Sequence, residues 1–172
     1  MKRTSTLLIV TLLITTVALA QTVKKMFTDK QMPNIEVSTL EGQKVKILDA
    51  IGTGKITVIN FWATWCGPCK LELNNIAELY PDWKKDYNVQ LIAISIDDSR
   101  NTAKVKTYVG GRSWDYTILL DSNQDLKRAL NFQAPPYTLL LDKNGTIVHS
   151  HTGYNEGEEY ILEEQIKALA KK

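Results

Sequence analysis

The chain is poor in several residues whose abundance marks special classes of protein. Its 172 residues include only two cysteines, two histidines, five prolines and nine glycines. Two cysteines exclude a small disulfide-stapled scaffold. Sparse proline and glycine, with no internal repeat or low-complexity tract, exclude fibrous and linker-like classes. Neither sign of charge dominates: the net charge is +2, and there is no basic stripe to attract nucleic acid. No apolar run reaches the roughly 20 residues that a membrane-crossing helix requires. What is present is an ordinary globular composition, 44% hydrophobic and 23% charged, enough for one domain with a real core.

The N-terminus stands apart from that domain. Lys2 and Arg3 precede an almost wholly apolar stretch from Leu7 to Leu19, and Ala18-Leu19-Ala20 offers small residues around a cleavage point. This three-part pattern predicts an export signal over residues 1–20, cut after Ala20. A retained anchor is the alternative, although the apolar stretch is too short to span a bilayer. No cysteine follows the cleavage point, so a lipid-modified N-terminus is not indicated. Loss of Lys2 and Arg3 removes both excess positive charges and leaves a neutral mature domain. Residues 21–33 read as a polar lead-in and 34–172 as the folded domain.

Within that domain, Ile35–Val37 and Val45–Ile47 alternate around Glu41-Gly42 as a hairpin. Ile56–Trp62 and Val89–Ile96 are continuous apolar runs, the mark of strands buried on both faces. Between them, apolar residues from Pro68 to Trp83 fall on a helical stripe that Pro81 is expected to bend or end. A polar helix over Ser99–Val109, stopped by Gly110-Gly111, leads to a strand at Tyr116–Leu120. Asp121 or Ser122 then caps a helix reaching Leu130. Tyr137–Leu141 and Thr146–Ser150 flank the turn Asp142-Lys143-Asn144-Gly145, and an amphipathic helix over Glu156–Ala170 closes the chain. This order predicts an α/β fold with a mixed central sheet flanked by helices.

Both cysteines lie in Cys66-Gly67-Pro68-Cys69, directly after the first buried strand and at the start of a helix. Helix N-terminal amides and the helix dipole favour a thiolate on Cys66, which makes it the expected nucleophile. Cys69, one turn on, is the expected resolving thiol. Pro68 fits the first turn, where its missing N–H costs nothing. A bridge this local closes no long loop, so stapling explains the pair poorly. Zinc would need four ligands, and the other candidates are His149 and His151, which read as an exposed strand pair; no metal or other cofactor is expected. A peroxide-reducing cysteine is a further rival, but Thr64 is only two residues before Cys66 and no arginine is near in sequence.

The segment Asn60-Phe61-Trp62-Ala63-Thr64-Trp65-Cys66-Gly67-Pro68-Cys69-Lys70 resembles the active-site stretch of thioredoxins. It is most similar to the exported TlpA/ResA-like thiol–disulfide oxidoreductases. The likeness covers Asn34 to Lys171 and implies a thioredoxin-like fold with an N-terminal hairpin and a central βα insertion between Val89 and Leu120. It matches Pro136 to the family's cis-proline, which shapes the surface receiving the partner. It matches Glu72 to a glutamate kept near the cysteines, three residues beyond Cys69 and hence on the same helix side. Asn60 stands where thioredoxins carry a proton-exchanging aspartate, a role that an amide cannot fill.

Pro135 departs from the family pattern. The residue before the cis-proline ordinarily offers a backbone N–H and C=O to the bound polypeptide, and proline lacks the N–H, so one of those hydrogen bonds is missing. Trp65 is expected as an exposed platform for partners, while Trp62 packs under the site. Gly67-Pro68 between the cysteines, with no histidine in the pair, resembles the reducing members of the superfamily. The implied partners are protein or peptide disulfides, including apocytochrome c thiols, and a membrane protein that supplies electrons. A disulfide oxidase or isomerase, or a metal-binding or copper-delivery module, remains an alternative use of the same residues.

Overall fold

The computed structural model describes residues 30–171, so the expected export signal and most of the lead-in lie outside the described residues. The chain runs β1 (Lys30–Gln31), β2 (Glu36–Thr39), β3 (Lys44–Lys46), α1 (Ile47–Ile51), β4 (Ile56–Trp62) and α2 (Gly67–Tyr87). It continues with β5 (Val89–Ser95), a 3₁₀ turn (Ser99–Asn101), α3 (Thr102–Gly110), β6 (Thr117–Leu120) and α4 (Asp125–Leu130). β7 (Tyr137–Leu141), β8 (Thr146–Thr152) and α5 (Glu158–Ala170) complete it. From β2 onward the sheet order is β8-β7-β4-β5-β6-β2-β3. β4, β5 and β6 are parallel and the remaining pairs antiparallel, the mixed sheet that the alternation of elements predicts.

β4 is buried at every position, as its unbroken apolar run requires. The core gathers Ile56, Val58, Phe61, Leu91, Ile92, Leu139 and Leu140 from the central strands. On α2, Cys69, Glu72, Leu73, Ile76, Tyr80 and Trp83 form the buried face. α2 is tied to α5 through Tyr154, whose hydroxyl accepts from Asn75 Nδ2 at 2.7 Å and donates to Glu159 Oε2 at 2.5 Å.

Several local expectations are corrected. Pro81 lies inside α2, which runs on to Tyr87. It sits on the exposed side, where water can satisfy the carbonyl that its missing N–H leaves free, while buried Tyr80 and Trp83 hold the flanking turns. Ile47 opens α1 instead of extending the hairpin: its N–H closes the ladder on Ile35 O at 2.9 Å, and Ile47 and Ile51 bury one helical face. Met32, read as lead-in, belongs to the core. Gln124, in a left-handed conformation, is the residue before α4, while the Asp121 carboxylate accepts from Leu126 and Lys127 N–H at 3.3 and 3.0 Å.

Candidate active site

β4 delivers the cysteines to the end of the sheet. After Trp62 the chain turns, with Cys66 N–H donating to Ala63 O at 3.0 Å, and Cys66 caps α2. Cys66 and Cys69 form a disulfide with an S–S distance of 1.94 Å. Cys66 Sγ accepts a hydrogen bond from Cys69 N–H at 3.2 Å, so a first-turn amide of α2 points at the sulfur that would carry negative charge. Cys66 retains 5% exposure and Cys69 none. That asymmetry suits one sulfur for meeting a partner and the other for intramolecular attack. Trp65 stands out at 65% exposure beside the pair. Trp62 is fully buried, with its indole edge-on to Trp114 at 5.3 Å.

A buried carboxylate pins the approach to the cysteines. Asp97, just beyond β5, accepts Thr64 N–H at 2.8 Å, the Thr64 hydroxyl at 2.7 Å and the Ser95 hydroxyl at 2.8 Å. Lys70 Nζ adds a hydrogen bond to Thr64 O at 3.2 Å. The turn before Cys66 is thus held from both its amide and its carbonyl side.

A second buried carboxylate lies on the same buried face of α2 as Cys69. Glu72 is only 1% exposed. Its Oε2 accepts from Asn60 Nδ2 at 2.9 Å and its Oε1 from the Thr138 hydroxyl at 2.8 Å. Asn60 Nδ2 also donates to Thr138 Oγ1 at 2.8 Å, which commits the hydroxyl hydrogen to Glu72. Asn60 Oδ1 is buried without a partner. Flipping the amide would aim an acceptor at two acceptors, so Glu72 and Thr138 dictate its orientation. The sheet register explains this meeting: Asn60 lies opposite Thr138, and Thr138 opposite His151, in one row across β4, β7 and β8. Side chains in such a row share a face of the sheet, here the face on which Glu72 of α2 rests.

His151 completes that row. Its Nε2 lies 3.4 Å from Glu72 Oε1, a separation that suits an ion pair and is long for a hydrogen bond. The neighbouring Glu72 carboxyl raises the imidazole pKa above its ordinary value, and partial burial opposes this less strongly. The expectation of an exposed histidine pair therefore holds for His149 and fails for His151, which is partly buried.

Pro136 follows a cis peptide bond from Pro135 and is itself buried. Because Tyr137 pairs with Phe61, the register brings Pro136 level with Trp62, at the end of β4 that carries the cysteines. Pro136 O accepts Gly153 N–H at 2.8 Å. Gly67 has open space around the position of a Cβ, and Pro68 occupies the first turn of α2.

Comparison with known proteins agrees with this geometry. The AhpC/TSA family matches residues 28–150. The chain is 32% identical over 146 residues to the thiol-disulfide oxidoreductase ResA of Bacillus thuringiensis, covering 85% of this chain and 80% of that one. It is a thiol–disulfide oxidoreductase of the AhpC/TSA family. A thioredoxin-like protein from Porphyromonas gingivalis superposes with a TM-score of 0.74 at 43% identity, covering 84% of this chain and 94% of that one. A putative thiol:disulfide interchange protein DsbE from Chlorobium tepidum shares the fold, with a TM-score of 0.72 at 24% identity, covering 83% of this chain and 97% of that one.

For this oxidoreductase the structure brings Cys66, Cys69, Trp65, Gly67, Pro68 and Pro136 to one end of β4, with Glu72 on the same buried face of α2 as Cys69. Thr138, His151 and Asp97 were missed from the sequence. A signal existed for Thr138 and Asn60: each is a polar residue within a largely apolar strand, and a buried polar group demands a partner. Among the described residues, no group of three or more His, Cys, Asp and Glu side chains is placed to hold a metal ion, and no helix is long and apolar enough to cross a membrane.

Proposed function

We propose that the Cys66–Cys69 pair works as a reductase of protein disulfides outside the cytoplasm, with an export signal over residues 1–20. The Cys66 thiolate attacks a substrate disulfide and forms a mixed disulfide, and one substrate sulfur leaves as thiolate. Cys69 gives its proton to Glu72, attacks Cys66 Sγ, and releases the second substrate thiolate. Since an oxidising compartment holds no thiol pool for the purpose, a membrane electron donor then returns two electrons, and one proton restores the Cys69 thiol beside the Cys66 thiolate.

The observation that carries this reading is the contrast within the pair. Among the described residues, Cys66 Sγ receives one hydrogen bond, from the Cys69 amide, while fully buried Cys69 shares the inner face of α2 with Glu72. A strong oxidant gains its potential from heavy stabilisation of the reduced thiolate, and one amide contact supports a modest degree of it. Trp65 supplies an exposed aromatic surface for the substrate. Pro135 and Pro136 line its path, with one main-chain donor fewer than an ordinary residue at Pro135 would provide.

The test is the reduction potential of the pair, read by thiol alkylation across defined redox buffers. A value near or below about −270 mV supports a reductase, whereas one near −120 mV, typical of a strong oxidant, reverses the direction of electron flow. Disulfide-bonded Cys-x-x-Cys-His peptides, the haem-attachment sequence of c-type cytochromes, are the first substrates to try.

A further inference from the structure

The Glu72 site contains one group that the exchange reaction, as written above, leaves unused. Asn60 and Thr138 are fixed donors to Glu72: neither side chain can take up or release a proton near neutral pH. His151 can, and its Nε2 faces Glu72 Oε1 at 3.4 Å. Its side chain is 35% exposed while that of Glu72 is 2% exposed, so the imidazole stands between a buried carboxyl and water. On its outer side lies a groove of about 210 Å³ lined by His151, Glu158, Ile161, Leu162 and Gln165. Among the described residues, the charged groups acting on the imidazole are Glu72 from α2 and Glu158 from α5. From β7 the residue opposite is Thr138, which does not titrate.

We propose that His151 is a positioning and relay residue for Glu72, carrying the proton taken from Cys69 out to the groove between β8 and α5. This rests on the reading of Glu72 as the proton acceptor of Cys69. The Cys69 proton moves to the Glu72 carboxylate and from there to Nε2 of neutral His151, and the imidazole releases its Nδ1 proton to water. The electron pair left on Cys69 sulfur forms the bond to Cys66 Sγ as the substrate thiolate departs. No proton or electron is gained or lost overall. Glu72 itself is 1% exposed, with Asn60 and Thr138 each bonded to one of its oxygens. A protonated His151 cannot accept a second proton, so the relay closes on acidification through the imidazole pKa. Glu72 lifts that pKa, so the closure comes at a higher pH than for a histidine without such a neighbour.

The experiment is single-turnover exchange between the reduced full chain and a disulfide-bonded fluorescent peptide, followed from about pH 5 to 9. His151→Gln, Glu72→Gln and the double variant are compared with the parent. His151→Gln is expected to slow the resolving step roughly tenfold above the imidazole pKa, less than the 10²–10⁴-fold of a directly acting acid–base group. It is also expected to erase the acid-side step in the profile. In the Glu72→Gln background, the same substitution should add nothing. If Glu72→Gln alters the profile and His151→Gln leaves it superimposable on the parent, the relay is wrong and the role of Glu72 survives. If Glu72→Gln changes nothing, the reading of Glu72 fails and the relay with it. Should His151→Gln fold poorly, NMR titration of the imidazole in parent and Glu72→Gln protein decides, with His149→Gln assigning the two signals. A pKa that does not fall when Glu72 is neutralised overturns the coupling.

Discussion

Two buried carboxylates flank the same pair of cysteines, and they are built differently. Asp97 accepts three hydrogen bonds, from the Thr64 amide, the Thr64 hydroxyl and the Ser95 hydroxyl, all groups whose protonation does not change. Glu72 accepts two such bonds, from Asn60 and Thr138, and then faces His151. The first arrangement is a latch: a charge fixed by permanent donors can hold a turn and has nowhere to send a proton. The second has a titratable neighbour and an exit to water, so it can hold or move one. A buried acid near a reactive sulfur thus acquires its role from what surrounds it, and proximity alone does not make it part of the chemistry.

Removing the latch should have the largest effect on stability. Asp97→Ala strands three buried or half-buried donors and is expected to cost about 3 kcal/mol, a fall in Tm of roughly 6–12 °C for a chain of this size. Exchange should slow because the Thr64 turn no longer presents Cys66, while the shape of the pH profile is retained. Calorimetry and exchange rates across pH check both halves. A profile displaced along the pH axis would make Asp97 a proton-handling group and erase the contrast with Glu72.

Thr138→Val keeps the side-chain shape and removes the hydroxyl that bridges Asn60 to Glu72. The expected loss is about 1–2 kcal/mol, smaller than for Asp97 because only one hydroxyl is removed. Unlike Asp97→Ala, it should also move the pH profile, since Glu72 Oε1 would then depend on His151 alone. A stability loss with an unmoved profile would place Thr138 with the latch.

The His151–Glu72 contact should also be visible in stability against pH. The folded-state pKa of His151 is raised, first by its interaction with the Glu72 carboxyl. Such a group contributes stability that is fully present below the unfolded histidine value of about 6.5 and is lost as pH rises through the higher native value. The parent should therefore exceed His151→Gln in stability at slightly acidic pH and converge with it above the native pKa. Denaturant titrations across that window test this, and two curves that stay parallel would mean that the imidazole is not coupled to Glu72.

Much of this site was legible in the sequence, because its reactive part is local. Cys66, Gly67, Pro68 and Cys69 follow a buried strand after a three-residue turn, so the spacing puts the sulfurs at a helix start. β4 and β7 match their apolar runs at both ends. The polar row was less accessible. Asn60, Thr138 and His151 come from three strands far apart in the chain, and only the order and register of β4, β7 and β8 bring them together. A period-two reading of β8 puts His149 and His151 on one face and stops there. It cannot tell that Glu72 of α2 reaches His151 while His149 stays exposed. That Pro81 does not end α2 was hidden for a similar reason: whether a proline ends a helix depends on which side of it faces water and what holds the neighbouring turns, and both are tertiary facts.

The smallest effect expected concerns a contact that the protein does not make with itself. Pro135 is half-buried, precedes Pro136 at the end of β4 that carries the cysteines, and has no N–H to offer. The carbonyl of Pro136 is already taken by the Gly153 amide at 2.8 Å, so it is not free for an incoming strand. Pro135→Val would restore one donor, worth about 0.5–1.5 kcal/mol if a bound peptide uses it. That corresponds to a mixed disulfide with Cys66 roughly two- to tenfold more persistent. The complex can be trapped in a Cys69→Ser background, where no resolving thiol is left, and its decay followed with and without the Pro135 change. Because the new donor acts only on the partner, neither the Asp97 nor the Glu72 cluster should feel it, and Tm and the pH profile should stay with those of the parent. A longer-lived complex with both unchanged would separate gripping the substrate from handling its proton. An unchanged lifetime would mean that the partner passes Pro135 without pairing to its backbone, and that Trp65 and the cysteine itself provide the hold.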